Sequence, residues 1–230
     1  MKNLWTNNAV IPKDNSSSTS NIKPFATLSK GSSIVQWDTH LPDILCDEIT
    51  NHYLDNCRSQ DGVAKGDDKK DTPTRKVEAR WSLPFDWVPS FMANYVNIMN
   101  EQAFQYDLRA LQWTECHHLT YMPGHYYDWH LDTSPEQTTL LPPTNWTNIN
   151  IDITEYVRKI SFTLQLSNED EYTGGDIQLV DDAHGKVLVT VPKKKGTLVM
   201  FDSRIPHRVK PVKSGKRCAL VGWALGPKWR

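Results

Sequence analysis

The sequence predicts a mainly-β fold of the jelly-roll kind, with helices packed outside the sheets. Three observations carry that expectation. From residue 109 onward, short stretches rich in Val, Ile, Leu, Thr and aromatics recur, at 110–121, 158–167, 176–180, 186–191, 196–201, 207–212 and 217–225. Turn signals separate them: Pro123-Gly124, Gly174-Gly175, His184-Gly185, Pro192 and Ser214-Gly215. Many short strands punctuated in this way fill an antiparallel sandwich or barrel. Before residue 109 the apolar spacing is helical instead of alternating. Finally, 230 residues with 38% apolar and 23% charged side chains are enough for one large or two small globular domains with an ordinary core.

Taken in order, residues 1–33 are rich in Asn, Ser, Lys and Thr, show no period, and are expected to form a flexible arm. Leu41, Ile44, Leu45, Ile49, Tyr53 and Leu54 predict a helix over 41–56, with Pro42 in its first turn. Residues 61–78 read as a charged loop without an apolar face. A second helix is expected over 88–104, burying Phe91, Met92, Tyr95, Ile98 and Met99. The strands then follow, interrupted at 133–157 by a Pro-containing insertion with no period. The reading is therefore an arm (1–33) followed by one domain (34–230), with helical support to about residue 108 and the jelly-roll core beyond it.

Some function classes drop out on composition. No run approaches the ~18–20 apolar residues a membrane span needs. The N-terminus is polar and has no apolar core of a signal peptide, and four cysteines (Cys46, Cys57, Cys116, Cys218) show no CxxC spacing. Reduced thiols in a cytoplasm, and no membrane partner, are the expectation. Charge is unevenly spread. Residues 1–183 carry 14 Lys+Arg against 26 Asp+Glu, whereas residues 184–230 carry 12 against one. The basic end invites a polyanion-binding reading, but it also contains the residues discussed next.

The informative segment is Tyr121-Met-Pro-Gly-His-Tyr-Tyr-Asp-Trp-His130-Leu-Asp132. His130 and Asp132 are two apart, so on an extended segment both leave the same face. An imidazole and a carboxylate so placed can take adjacent positions on a metal, and His207 is the candidate third ligand. Two His and one carboxylate suit a non-haem Fe(II) oxygenase, and also a hydrolytic zinc site. Arg217 favours the first. It lies ten residues after His207, across a plausible hairpin, and a permanent guanidinium is what the distal carboxylate of 2-oxoglutarate requires.

Five ordered motifs carry a resemblance: Tyr121-x-x-Gly124-x-x-Tyr127-x-x-His130-x-Asp132, Glu171-Tyr-Thr-Gly-Gly-Asp-Ile, Gly196-Thr-Leu-Val-Met-Phe, His207-Arg-Val-x-Pro-Val-x-x-Gly-x-Arg217, and Trp223. Over residues 34–230 the chain resembles the prolyl-4-hydroxylase group of 2-oxoglutarate/Fe(II)-dependent dioxygenases, in particular the bacterial and phage PKHD-type hydroxylases. The resemblance implies a double-stranded β-helix. It implies Fe(II) on His130, Asp132 and His207, which would also be the catalytic centre. Arg217 and Tyr121 would bind 2-oxoglutarate, with Ile177 as an apolar wall and Gln165 standing where many relatives place a Tyr. Tyr127, Trp129, Trp223 and Arg80, the last ending a loop (61–80) that would close over a peptide, are the implied substrate contacts. Dioxygen is the implied co-substrate and ascorbate the implied reductant.

The implied reaction is hydroxylation of an aliphatic C–H, foremost prolyl 4-hydroxylation of a peptide or protein, releasing succinate and CO2. The setting would be the cytoplasm of a bacterium, or of a host cell for a phage protein. Asp132 argues against a halogenase, in which that carboxylate is replaced. Two alternatives keep the fold: an oxidative demethylase of nucleic acid, and a non-catalytic peptide-binding module. Relatives that demethylate nucleobases usually show a second Arg soon after the cosubstrate Arg. Here Cys218-Ala-Leu-Val-Gly-Trp follows Arg217, which argues against nucleic acid.

Overall fold

A computed structural model describes residues 33–61, 74–82, 86–109, 115–133, 156–181 and 187–229. The expected arm, most of the charged loop and most of the 133–157 insertion lie outside the described residues.

Two antiparallel sheets face each other. The larger is built from β1 (Ile34–Asp38), β2 (Ser59–Asp61), β4 (Glu78–Trp81), β5 (Glu115–Tyr121), β7 (Tyr156–Gln165), β11 (Thr197–Asp202) and β14 (Arg217–Pro227), in the order β1-β11-β7-β14-β5-β4-β2. The smaller takes β3 (Arg75–Lys76), β6 (Tyr126–His130), β9 (Ile177–Asp181), β10 (Val187–Thr190) and β12 (His207–Val209), in the order β10-β9-β12-β6-β3. A two-stranded ribbon of β8 (Tyr172–Gly174) and β13 (Val212–Gly215) forms a third, separate sheet. The sheets share a core in which Leu119, Tyr121, Val199 and Phe201 of the larger meet Ile177, Leu179, Val189 and Val209 of the smaller. This is the jelly roll that the strand pattern predicts.

Alternation decides what each face of the larger sheet buries. On β14, Cys218, Leu220 and Ala224 join Phe162 and Leu164 of β7 in a second core, under α1 (Asp43–Asn56) and α2 (Trp87–Met99). The intervening Arg217, Ala219, Val221 and Trp223 face the other sheet. The helices contribute Cys46, Ile49 and Tyr53, then Val88, Met92, Val96 and Met99. Each fully buried Leu, Ile, Met or Phe there contributes about 1.5–3 kcal/mol.

Several expectations need correction. In α1 the inward stripe runs through Cys46, leaving Ile44 70% exposed and Leu54 42% exposed. α2 stops at Met99. A π turn, Asn100–Phe104, follows and ends where Gln105 adopts a left-handed φ of 56°; Ile98 is 38% exposed instead of inward. The charged loop expected over 61–78 gives way to strands at both ends: β2 reaches Asp61, and from Arg75 the chain forms β3 and then β4. Residues 34–108 thus supply strands as well as helices. The expected 207–212 strand is broken at Lys210-Pro211, where the chain leaves the smaller sheet for the ribbon.

Candidate metal centre

His130, at the end of β6, and His207, at the start of β12, are direct cross-strand partners. Asp132, two residues past His130, is anchored by its N–H to the carbonyl of Ser203 at 3.1 Å. The Asp132 carboxylate comes within 3.7 Å of His130 Nε2 and 3.3 Å of His207 Nε2. Among the described residues these three form the one group whose ligand atoms all lie within 4.8 Å of each other.

The donor set fits a divalent metal. Nδ1 of His130 donates to the carbonyl of Asp128 at 2.7 Å, and Nδ1 of His207 to that of Ile205 at 3.0 Å. These bonds assign the proton to Nδ1 on both rings and leave each Nε2 lone pair aimed at the carboxylate. Burial, then the neighbouring His207, pushes His130 down to about 3, so it stays neutral. Burial alone would raise Asp132, but His207 and then His130 outweigh it and hold the carboxyl below its ordinary range. Burial would likewise lower His207, yet the Asp132 carboxylate raises it. A metal ion held by both Nε2 atoms and the carboxylate would supply the positive charge that Asp132 favours at His207.

A cation lies beyond the triad. Arg217 opens β14, 1% exposed, opposite Tyr121 of β5, with its guanidinium carbon 5.0 Å from the centre of the Tyr121 ring. Its Nη2 donates to Gln165 Oε1 at 3.0 Å, while Nε is buried without a partner. Among the described residues no carboxylate lies within ion-pair distance of it. Burying a permanent charge against a neutral amide costs several kcal/mol unless an anion completes the site. Two glycines make room. Gly215, at φ 76°, passes so close to the Glu171 carbonyl that a Cβ would sit 2.0 Å from its oxygen. Gly175, at φ 65°, lies against the Arg217 stem, where a Cβ would be 3.1 Å from Cδ. Ile177 is buried in the same inter-sheet core as Tyr121.

The substrate-facing residues named from the sequence divide. Tyr127 stacks on the His130 ring, centroids 3.4 Å apart, because a bulge between β6 and β12 brings the two onto one face despite their odd spacing. Trp223 is on the inner face of β14 with Arg217. Trp129 points the other way, 39% exposed, with Arg208 over its ring at 4.6 Å. Arg80 pairs in register with His118, whose ring stacks on Tyr53 of α1. It is therefore on the helix-covered face, bound to Glu78 at 2.5 Å, and does not line the triad's cavity.

Sequence reasoning missed Arg75 and Arg158. Arg75 lies over Tyr127 at 5.0 Å and Arg158 over Trp223 at 3.7 Å. Strand parity from Gln165 assigns Arg158 to the helix side, but the register of β7 with β14 shifts between Ala224 and Leu225 and turns it inward. No periodicity in the sequence signals that shift.

Comparison with known proteins points the same way. Residues 116–225 match the family model described as the 2OG-Fe(II) oxygenase superfamily. A PKHD-type hydroxylase of Xylella fastidiosa is 32% identical over 103 residues, covering 45% of this chain and 40% of that protein. One from Parvibaculum lavamentivorans is 44% identical over 64 residues, 28% of each chain. The chain thus aligns with less than half the length of these relatives. Among solved structures, a Pseudomonas putida prolyl-4-hydroxylase superposes with a TM-score of 0.58 at 23% identity, over 84% of this chain and 92% of that one. The viral collagen prolyl hydroxylase of Paramecium bursaria Chlorella virus-1, solved as a 2OG complex, gives 0.56 at 20% identity, over 85% and 97%. At these identities the structural likeness shows the shared fold.

Proposed function

We propose that this chain, whose residues 116–225 match the 2OG-Fe(II) oxygenase superfamily, is an oxygenase of that kind that hydroxylates an aliphatic C–H of a peptide or protein, with a prolyl ring as the foremost target. The observation that carries the reading is the pairing of the His130/Asp132/His207 triad with the buried Arg217, which has no carboxylate partner among the described residues. A hydrolytic zinc site has no general use for such a cation, whereas a dicarboxylate cosubstrate needs one.

His130, Asp132 and His207 would hold Fe(II) and Arg217 the distal carboxylate of 2-oxoglutarate. Bound there, iron and 2-oxoglutarate supply the oxidation by dioxygen that puts an oxygen atom into the C–H bond, with succinate and CO2 as coproducts. The chain's own contribution is position and charge. The two Nδ1–H bonds to backbone carbonyls fix the ligand rings before any metal arrives. Gln165 Oε1 accepts from Arg217 and holds the guanidinium plane without neutralising it. Ile177 walls the cosubstrate pocket, and Phe201, edge-on to His207 at 4.7 Å, excludes water behind the ligand. Tyr127 and Trp223 face the approaching substrate.

The test is 2-oxoglutarate-dependent succinate formation by the iron-loaded protein, alone and with prolyl peptides or methylated oligonucleotides. Peptide-stimulated succinate with a hydroxylated product supports the reading; formaldehyde release from the oligonucleotides would replace it with demethylation. Asp132→Ala should lower metal affinity by more than about 100-fold, since deleting a ligand exceeds the loss of an outer-shell partner. Full succinate formation by that variant would defeat the assignment.

A further inference from the structure

Two of the three candidate ligands are held by one tight turn. Asp202 ends β11, and the chain then reverses over Asp202–Ile205. There the N–H of Ile205 donates to the Asp202 carbonyl at 2.9 Å, and the N–H of Arg204 to Asp202 Oδ1 at 2.8 Å. Two carbonyls of this turn serve the metal centre. That of Ser203 accepts from the N–H of Asp132, and that of Ile205 accepts from Nδ1 of His207. Ser203 is itself buried, its N–H bonded to the Lys159 carbonyl and its hydroxyl to that of Ser161. A displacement of the turn by about 0.5 Å, the tolerance of a ligand constellation, would carry Asp132 and His207 out of place together.

The outer side of the turn is braced by a ring that the oxygenase reading does not use. Trp229, two residues past β14, is half-exposed, yet the Arg204 guanidinium carbon lies 3.7 Å from its ring centre and Lys159 Nζ 3.3 Å. So close to one centre the two cations can only take opposite faces, and the indole is sandwiched between them. Arg204 in turn grips Asp202, Nε donating to Oδ1 at 2.9 Å and Nη2 to Oδ2 at 2.6 Å. Tyr106, edge-on to Trp229, donates its hydroxyl to the same carboxylate at 2.6 Å. Lys159 is buried, and burial followed by the like charge of Arg204 pushes its ammonium below the ordinary range. The two cations repel, and the electron-rich ring between them turns that repulsion into a clamp. Without the ring, Arg204, whose side chain is half in solvent, would swing outward and draw Asp202 with it.

We infer that Trp229 is a positioning residue of the metal centre: it fixes the Asp202–Ile205 turn through Arg204 and so aims Asp132 and His207 at a divalent cation before one binds. The inference rests on the metal-binding part of the reading above and holds for any reaction at that centre. A purely structural role is the alternative, and Trp129 calibrates it. That indole is about as exposed as Trp229 and also lies under a guanidinium, that of Arg208, but its ring points away from the triad.

The experiment titrates the full chain with Mn(II) and, separately, with Co(II), whose visible absorption bands report ligand geometry. Trp229→Ala should weaken Mn(II) binding about tenfold, the low end of what outer-shell partners of metal ligands confer. It should also shift the Co(II) bands, with a change in thermal midpoint no larger than that of Trp129→Ala. Trp129→Ala should leave both metal readouts unchanged. Trp229→Phe keeps a ring face for each cation and should recover most of the affinity. Arg204→Gln should reproduce the loss, and the double variant should be no worse than either single one, because both act through one turn. If Trp229→Ala does not fold, Arg204→Gln carries the test, since its side chain is half in solvent. Unchanged Mn(II) affinity and Co(II) bands in the variant that carries the test overturn the inference. So do losses that add in the double variant, or an equal loss in Trp129→Ala. Failure of the unsubstituted chain to bind either ion overturns the metal centre instead, and this inference with it.

Discussion

The two faces of the larger sheet are made by the same strands and do opposite things. Toward the helices, β14 and β7 present Cys218, Leu220, Ala224, Phe162 and Leu164, a core closed by α1 and α2. Toward the smaller sheet they present Arg217, Trp223, Gln165 and Thr163, all buried, with Arg217 Nε, Trp223 Nε1 and Thr163 Oγ1 lacking hydrogen-bond partners among the described residues. One face is finished when the chain folds; the other is finished only by what binds there. Stability and function are therefore encoded on alternate residues of a single strand, and substitutions one position apart should have effects of different kind.

Arg217→Met tests this most severely. Binding of 2-oxoglutarate should weaken by about 2–5 kcal/mol, because a charge-assisted contact is lost. Thermal stability should hold or rise, since replacing an uncompensated buried charge by an apolar side chain is commonly neutral or stabilising. Isothermal titration with Mn(II) present and a thermal melt read the two effects separately, and a large loss of stability would contradict the assignment. Leu220→Ala, three residues on, should do the reverse. Leu220 is fully buried under the helices, and truncation should cost about 2–5 kcal/mol in denaturant unfolding. The protein that remains folded should bind 2-oxoglutarate as before.

The helix-covered face also contains a group that does not belong to a finished core. His118 is 0% exposed, both ring nitrogens lack hydrogen-bond partners among the described residues, and burial followed by the nearby Arg80 pushes it down to about 4, against a partial opposing pull from Glu78. Because its folded value is depressed, the unfolded chain takes up a proton below about pH 6.5 that the folded chain refuses, so stability falls as the pH drops towards 4. The loss should be on the order of 3 kcal/mol across that window. His118→Phe keeps a ring against Tyr53, and its acid limb should be correspondingly shallower. Identical pH–stability profiles would show that His118 is solvated or partnered in solution.

How much of this was legible in the sequence depended on where alternation is regular. His130 and Asp132 share a face because they are two apart, and Arg217 faces the cavity because β14 runs regularly from Arg217 to Ala224 before its first irregularity. The same rule already sets Trp129 opposite to its neighbour His130. Val77, Ala79 and Trp81 alternate likewise, a strand hidden inside a charged segment whose composition reads as loop. Where a bulge intervenes the rule misleads: it conceals Tyr127's approach to His130 and Arg158's to Trp223. Bulges arise from tertiary fit and carry no fixed residue signature, so the basic rim was out of reach of pattern reasoning.

The smallest expected effects come from residues the sequence assigned to substrate and the fold assigns elsewhere. Trp129→Ala removes a half-exposed ring under Arg208, worth about 0.5–1 kcal/mol of cation–π attraction at an exposed site. Arg80→Ala removes a partly buried pair with Glu78 and should cost on the order of 1 kcal/mol. Neither should alter Mn(II) or 2-oxoglutarate affinity, because each side chain leaves its strand on the side away from the triad. Peptide affinity is the sharper measure. If Trp129→Ala or Arg80→Ala weakened it as much as Trp223→Ala, the substrate would have to wrap a sheet edge and touch both faces. The division of labour between the two faces would then hold for the cosubstrate alone.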